Sequence, residues 1–90
     1  MFFRQRKLKA GIAEGLQQIG ADDLDQAMDF FAALIAHFKF GVAQLEGRAP
    51  VDETKLAELW VAILKQAPNA TLDELVPAFG EVMKQRYAPS

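Results

Sequence analysis

The chain contains no cysteine. That excludes disulfides, thiolate metal sites and a cysteine nucleophile, and it suits a cytoplasmic protein. It holds a single histidine, His37. No H-E-x-x-H or other paired-ligand spacing can be built around it. By helical spacing His37 falls at the edge of an apolar arc, and it reads as a partly buried structural residue. Long apolar runs are missing too. The most apolar stretch, residues 27–38, is about half the roughly 20 residues that a membrane span needs. Asp25, Asp29, Lys39 and Glu46 interrupt or bracket it, so no membrane span is expected. The opening MFFRQRKLKAG does not read as a secretory signal, because its apolar residues precede its charges. No G-x-S-x-G, P-loop or dinucleotide fingerprint occurs. With no catalytic set and no cofactor implied, the chain reads as non-enzymatic.

What is present fits one globular domain over residues 1–90. The hydrophobic fraction of 51% and the charged fraction of 24% argue against intrinsic disorder. A chain this short buries only roughly 60–65% of its unfolded surface, so area covered by a partner would add usefully to a modest stability. The net charge of −2 is unevenly spread. In residues 1–20, Arg4, Arg6, Lys7 and Lys9 stand against Glu14; in residues 21–54 acids predominate. On a helical wheel the four N-terminal cations spread around the circumference, which makes a poor phosphate-tracking face and argues against nucleic acid as a partner.

The periodicity predicts a small all-α domain of four helices with a long central apolar helix. The first spans about 4–19, with Leu8, Ile12, Leu16 and Ile19 on one narrow stripe and Gly20 as its stop. Its Gly11 and Gly15 form a G-x-x-x-G. Such a pair either allows close helix approach or simply weakens the helix.

The second spans about 22–46, with Asp22 as N-cap. Met28, Phe31, Ile35, Phe38, Val42 and Leu45 alternate spacings of three and four, a heptad-like seam. Three amphipathic neighbours within the chain are expected to cover that seam. Asp22, Asp25 and Asp29 share a face, but the glycine-containing loop of an EF-hand is absent and dipole matching accounts for the first-turn acids, so no metal site is assigned. Opposite the seam lie Ala32, Ala36, Phe40 and Ala43. Small residues there permit close approach, with Phe40 as an apolar knob. This face, together with Phe2 and Phe3 at the N-terminus, is the candidate partner-binding surface, for another protein or a second copy in a homodimer.

The third helix spans about 52–67, its apolar face made of Leu56, Leu59, Trp60, Ile63 and Leu64. The fourth opens with the capping box Thr71-Leu72-Asp73-Glu74 and buries Leu72, Leu75, Val76, Phe79, Val82 and Met83. Pro77 is expected to kink or break it.

The run Leu-Ala-Glu-Leu-Trp-Val-Ala-Ile-Leu-Lys-Gln-Ala-Pro-Asn-Ala-Thr-Leu-Asp-Glu-Leu over residues 56–75 resembles tail assembly chaperones of tailed bacteriophages and gene transfer agents. There a tryptophan-containing helix is followed by a proline and a threonine-capped helix. The matching residues here are Trp60, Ala62, Leu64, Pro68, Thr71, Leu72, Glu74 and Leu75, about a quarter of the chain. The basic first helix and the Phe-rich second helix have no counterpart in that pattern. The resemblance implies a small helical, non-enzymatic protein that binds other tail components during assembly.

The functional expectation is therefore a helical protein-interaction module: an assembly chaperone, adaptor or small inhibitor. The alternative is a small nucleic-acid-binding transcriptional regulator whose C-terminal half forms a helix-turn-helix. That alternative puts the acidic start Leu72-Asp73-Glu74 where a recognition helix meets bases and phosphates.

Overall fold

The structure is a computed structural model; it describes residues 2–41 and 51–88, with side chains from residue 5 onward in the first of these segments. Among the described residues there are four α-helices and no strand: α1 (Phe2–Gln18), α2 (Leu24–Phe40), α3 (Glu53–Gln66) and α4 (Leu72–Arg86).

Local chemistry at the helix ends sets these boundaries. After α1, Gly20 adopts a left-handed φ of 71°. Its N–H donates to the Gln17 carbonyl, and the N–H of Ala21 reaches back to the Leu16 carbonyl at 3.0 Å. This is the Schellman arrangement, which only a residue at ease with positive φ completes cheaply. The cap of α2 is Asp23, one residue later than expected, and its carboxylate accepts from the Gln26 N–H at 2.7 Å. Asp52 caps α3, accepting from the Thr54 and Lys55 N–H groups. At α4 the Glu74 carboxylate accepts from both the N–H and the hydroxyl of Thr71. Pro77 lies inside α4, which runs unbroken from Leu72 to Arg86. Pro77 and Asp73, whose carbonyl loses its partner, are both exposed, so water can serve the carbonyl and the expected break is not needed.

Gly41 ends α2 in the same left-handed manner as Gly20, with φ 72° and ψ 16°, its N–H donating to the His37 carbonyl. The helix is thus 17 residues long. The expected run to residue 46 stops at this cap, and the rest of it, with Val42, Ala43 and Leu45, lies outside the described residues.

The core gathers around α1. Leu8, Ile12 and Leu16 are fully buried and Ile19 nearly so, as their spacing requires. They meet Leu56, Leu59 and Ile63 of α3 and Leu75, Phe79, Val82 and Met83 of α4 in one apolar cluster. No described residue of this core is polar or charged. The two readings of the G-x-x-x-G resolve in favour of close approach. A Cβ on Gly11 would stand 3.0 Å from the Ile63 Cα and 3.1 Å from the Ala62 carbonyl oxygen. One on Gly15 would stand 2.6 Å from the Leu59 Cδ1. Backbone therefore meets backbone at Gly11, where a methyl group would press on α3 itself, whereas at Gly15 it would first have to displace the tip of the Leu59 side chain.

A last tie links the ends of the fold. The Tyr87 hydroxyl donates to the Ala21 carbonyl at 2.6 Å, and the Arg86 guanidinium lies over the Tyr87 ring. The end of α4 is thereby fixed to the α1–α2 turn.

Candidate interaction surface on the second helix

α2 packs against α3 and α4 more sparsely than α1 does. Its buried residues are Ala27, Phe30, Ala33, Leu34 and Ala36. On a helical wheel these occupy an arc turned by roughly a third of a circle from the expected seam. The seam is therefore not the inward face. Met28 is 43% exposed and Phe38 38% exposed, and Leu24, one heptad before Phe31, is 45% exposed. The correction has a physical cause. Besides Phe30 and Leu34, the buried residues of α2 are alanines, so the inward arc holds few large side chains and Leu24, Met28 and Phe38 are left at the margin or outside.

Two ring contacts pin this margin. Phe31 stacks on Phe79 of α4, with centroids 4.6 Å apart and planes at 23°. Phe38 meets Trp60 of α3 edge to face at 4.7 Å and 90°. Both geometries suit the aromatic quadrupole. Between and beyond them the outer surface of α2 is apolar: Leu24, Met28 and Phe38 are exposed, and Ala32 and Ile35 are half-buried. Asp25 and Lys39 flank this strip, and both are exposed.

The expected partner face divides. Phe40 is 75% exposed, the most exposed of the large apolar residues described. Ala32 is half-buried, but Ala36 turns inward and is buried. Ala43 and the side chains of Phe2 and Phe3 lie outside the described residues. Leu24, Met28 and Phe38 were missing from the expected surface because heptad spacing marks a helix that pairs with another without saying which one.

Two depressions adjoin this framework. One, about 360 Å³, lies where α2 ends and α3 begins, lined by Leu34, His37, Glu53, Leu56 and Trp60 among others. His37 is exposed here, not partly buried, because it stands in the last turn of α2 where the neighbouring helices no longer cover it. The other is a shallow groove of about 500 Å³ between α1 and α4, lined by Arg6, Lys9 and Arg86 with Ala10, Ala13 and Val82. The fold brings Arg86 beside Arg6 and Lys9, which share one face of α1 at a spacing of three. α4 opens with Asp73 and Glu74 in its first turn, the end that a recognition helix would offer to DNA.

Among the described residues no three His, Asp or Glu side chains come together as a metal-binding group. No described helix is long and apolar enough to cross a membrane. Comparison with protein-family models, curated proteins and solved structures finds no match to this chain.

Proposed function

We propose that this chain is a non-enzymatic protein-interaction module of the assembly-chaperone, adaptor or small-inhibitor kind, which holds its protein partner on the outer surface of α2. One observation carries the reading. Of the six large apolar side chains exposed among the described residues, four belong to α2: Leu24, Met28 and Phe38 along one strip, and Phe40 across the helix from it in the last turn. Apolar area gathered on one element, outside the core to which that element gives its other side, is the usual mark of a surface meant to be covered. The inward alanines strengthen the point, since Ala27, Ala33 and Ala36 take inward positions while Leu24, Met28 and Phe38 are left exposed. The resemblance of residues 56–75 to phage tail assembly chaperones supports a role in assembly in the cytoplasm.

The test is a pull-down from the native host with the wild-type chain and Phe40→Glu in parallel. Because Phe40 is so exposed, the variant should fold and melt like the wild type, within about 0.5 kcal/mol. A protein retained by the wild type and lost by the variant is the expected result. Equal recovery of every protein by both would remove Phe40 from the surface.

A nucleic-acid-binding role draws on the cationic groove between α1 and α4. It weighs less, because Asp73 and Glu74 oppose the approach of phosphates to α4.

A further inference from the structure

We infer that the outer strip of α2 pairs, antiparallel, with the same strip on a second copy of this chain. The inference deepens the reading of α2 as an interaction surface by naming its occupant. Leu24, Met28, Phe31, Ile35 and Phe38 follow one another at spacings of four, three, four and three. These are the a and d positions of a heptad, and Asp25, Ala32 and Lys39 fall at the adjoining e positions. In the fold the opposite flank, Ala27 and Leu34, is buried against the chain's own core. The e flank is the open one, with Asp25 and Lys39 exposed and Ala32 half-buried.

Charge selects the partner and its direction. When two identical helices pair antiparallel, the e flank of one meets the e flank of the other. Ala32 lies midway, seven residues after Asp25 and seven before Lys39. A two-fold axis at Ala32 therefore sets Asp25 of each copy opposite Lys39 of its mate, twice over. It also places the smallest side chain of the flank at the crossing, where the helices come closest. The acidic first turn of one α2 lies along the basic last turn of the other, which favours the helix dipoles as well. A parallel pair would instead need the e flank of each copy to meet the opposite flank of its mate, Ala27 and Leu34, which is already buried in that copy's own core. The interface is isologous, so it closes at two copies without growing into a fibre.

The strip from Leu24 to Phe38 is about 21 Å long at 1.5 Å per residue. That is narrow for an interface of standard size, about 800 Å² per partner, so the dimer should be a weak one with a dissociation constant in the micromolar range.

The test is sedimentation equilibrium of the full chain and four variants. The wild type should associate reversibly to a dimer. Met28→Glu should weaken association by about a hundredfold, since a charge would be buried on the strip. Asp25→Lys should weaken it about tenfold, as should Lys39→Asp, by setting like charges together. The double variant Asp25→Lys with Lys39→Asp should return to within about threefold of the wild type, because the pair is only exchanged. All these positions are exposed, and circular dichroism confirms that each variant folds. A chain that stays monomeric up to about 0.5 mM overturns the inference. So does a dimer indifferent to Met28→Glu, or one in which the double variant is no better than the single ones. A monomer that still loses a host protein on Phe40→Glu would sink only the self-association and leave the interaction module standing.

Discussion

The crossing of α1 over α3 and the seating of α2 on α3 and α4 solve the same problem in opposite ways. At the first, Gly11 and Gly15 remove side chains so that backbone meets backbone, and the larger residues around them are fully buried. At the second, Ala27, Ala33 and Ala36 face inward while Leu24, Met28 and Phe38 remain partly in water. Both interfaces place small residues where the helices meet, and the second is the sparser of the two. The first encloses its large residues fully, whereas the second encloses Phe30 and Leu34 and leaves other large ones out. Close packing on all sides makes a scaffold; close packing on one side, with apolar surface left over on the other, makes a scaffolded ligand-bearing helix. The difference separates the part of the sequence that determines the fold from the part free to serve a partner.

The comparison can be broken most forcefully at Gly11. Gly11→Val should destabilise the fold by about 3 kcal/mol, because the atoms it would strike are backbone and cannot swing aside. Urea denaturation measures this. A loss under 1 kcal/mol would mean that α1 and α3 can part without harm.

Phe38→Ala comes next, with an expected loss of about 1–2 kcal/mol. The side chain is already 38% exposed and contributes mainly its edge contact with Trp60. Trp60 is the single tryptophan, so its emission should move to longer wavelength in the same variant. An unchanged spectrum would show that the ring contact does not hold α2 in place.

The smallest effect sharpens the glycine argument by reversing its sign. Gly80 lies within α4, and a Cβ there would meet nothing within 4 Å. Gly80→Ala should therefore stabilise the chain by about 0.5–1 kcal/mol through helix propensity alone, read as a rise in melting temperature. Equal behaviour at Gly11 and Gly80 would show that the α1–α3 crossing is looser than its geometry.

How much of this was legible in the sequence follows from the same contrast. α1 has a single narrow stripe, Leu8, Ile12, Leu16 and Ile19, so only one rotation buries it, and that rotation is found. The helix ends at Gly20, Asp52 and Thr71 were legible as well, because these residues act on the backbone next to them and need no distant partner, whereas the end of α2 at Gly41 was not anticipated. α2 is apolar around more than half of its circumference, so its pattern permits several rotations of similar burial. The choice among them depends on Phe79 and Trp60, which lie 48 and 22 residues away from their partners Phe31 and Phe38. Such contacts are properties of the assembled fold, not of the helix. The exposure of Leu24, Met28 and His37 escaped the sequence for that reason. Phe40 did not, since it stood apart from the seam under either rotation.

The crossing at Gly11 and Gly15 has a consequence for the order of events during synthesis. α1 leaves the ribosome before α3, yet the surface it packs against belongs to α3, and the 48 residues from Ile19 to Gln66 must be made before that surface is complete. At translation speeds of about 5–20 residues per second this takes roughly 2–10 s, far longer than the microseconds in which a helix forms and melts. Two glycines make α1 a poor helix on its own. The segment is therefore translated before α3 and settles only after it, and a nascent chain arrested before α3 should still be unfolded there.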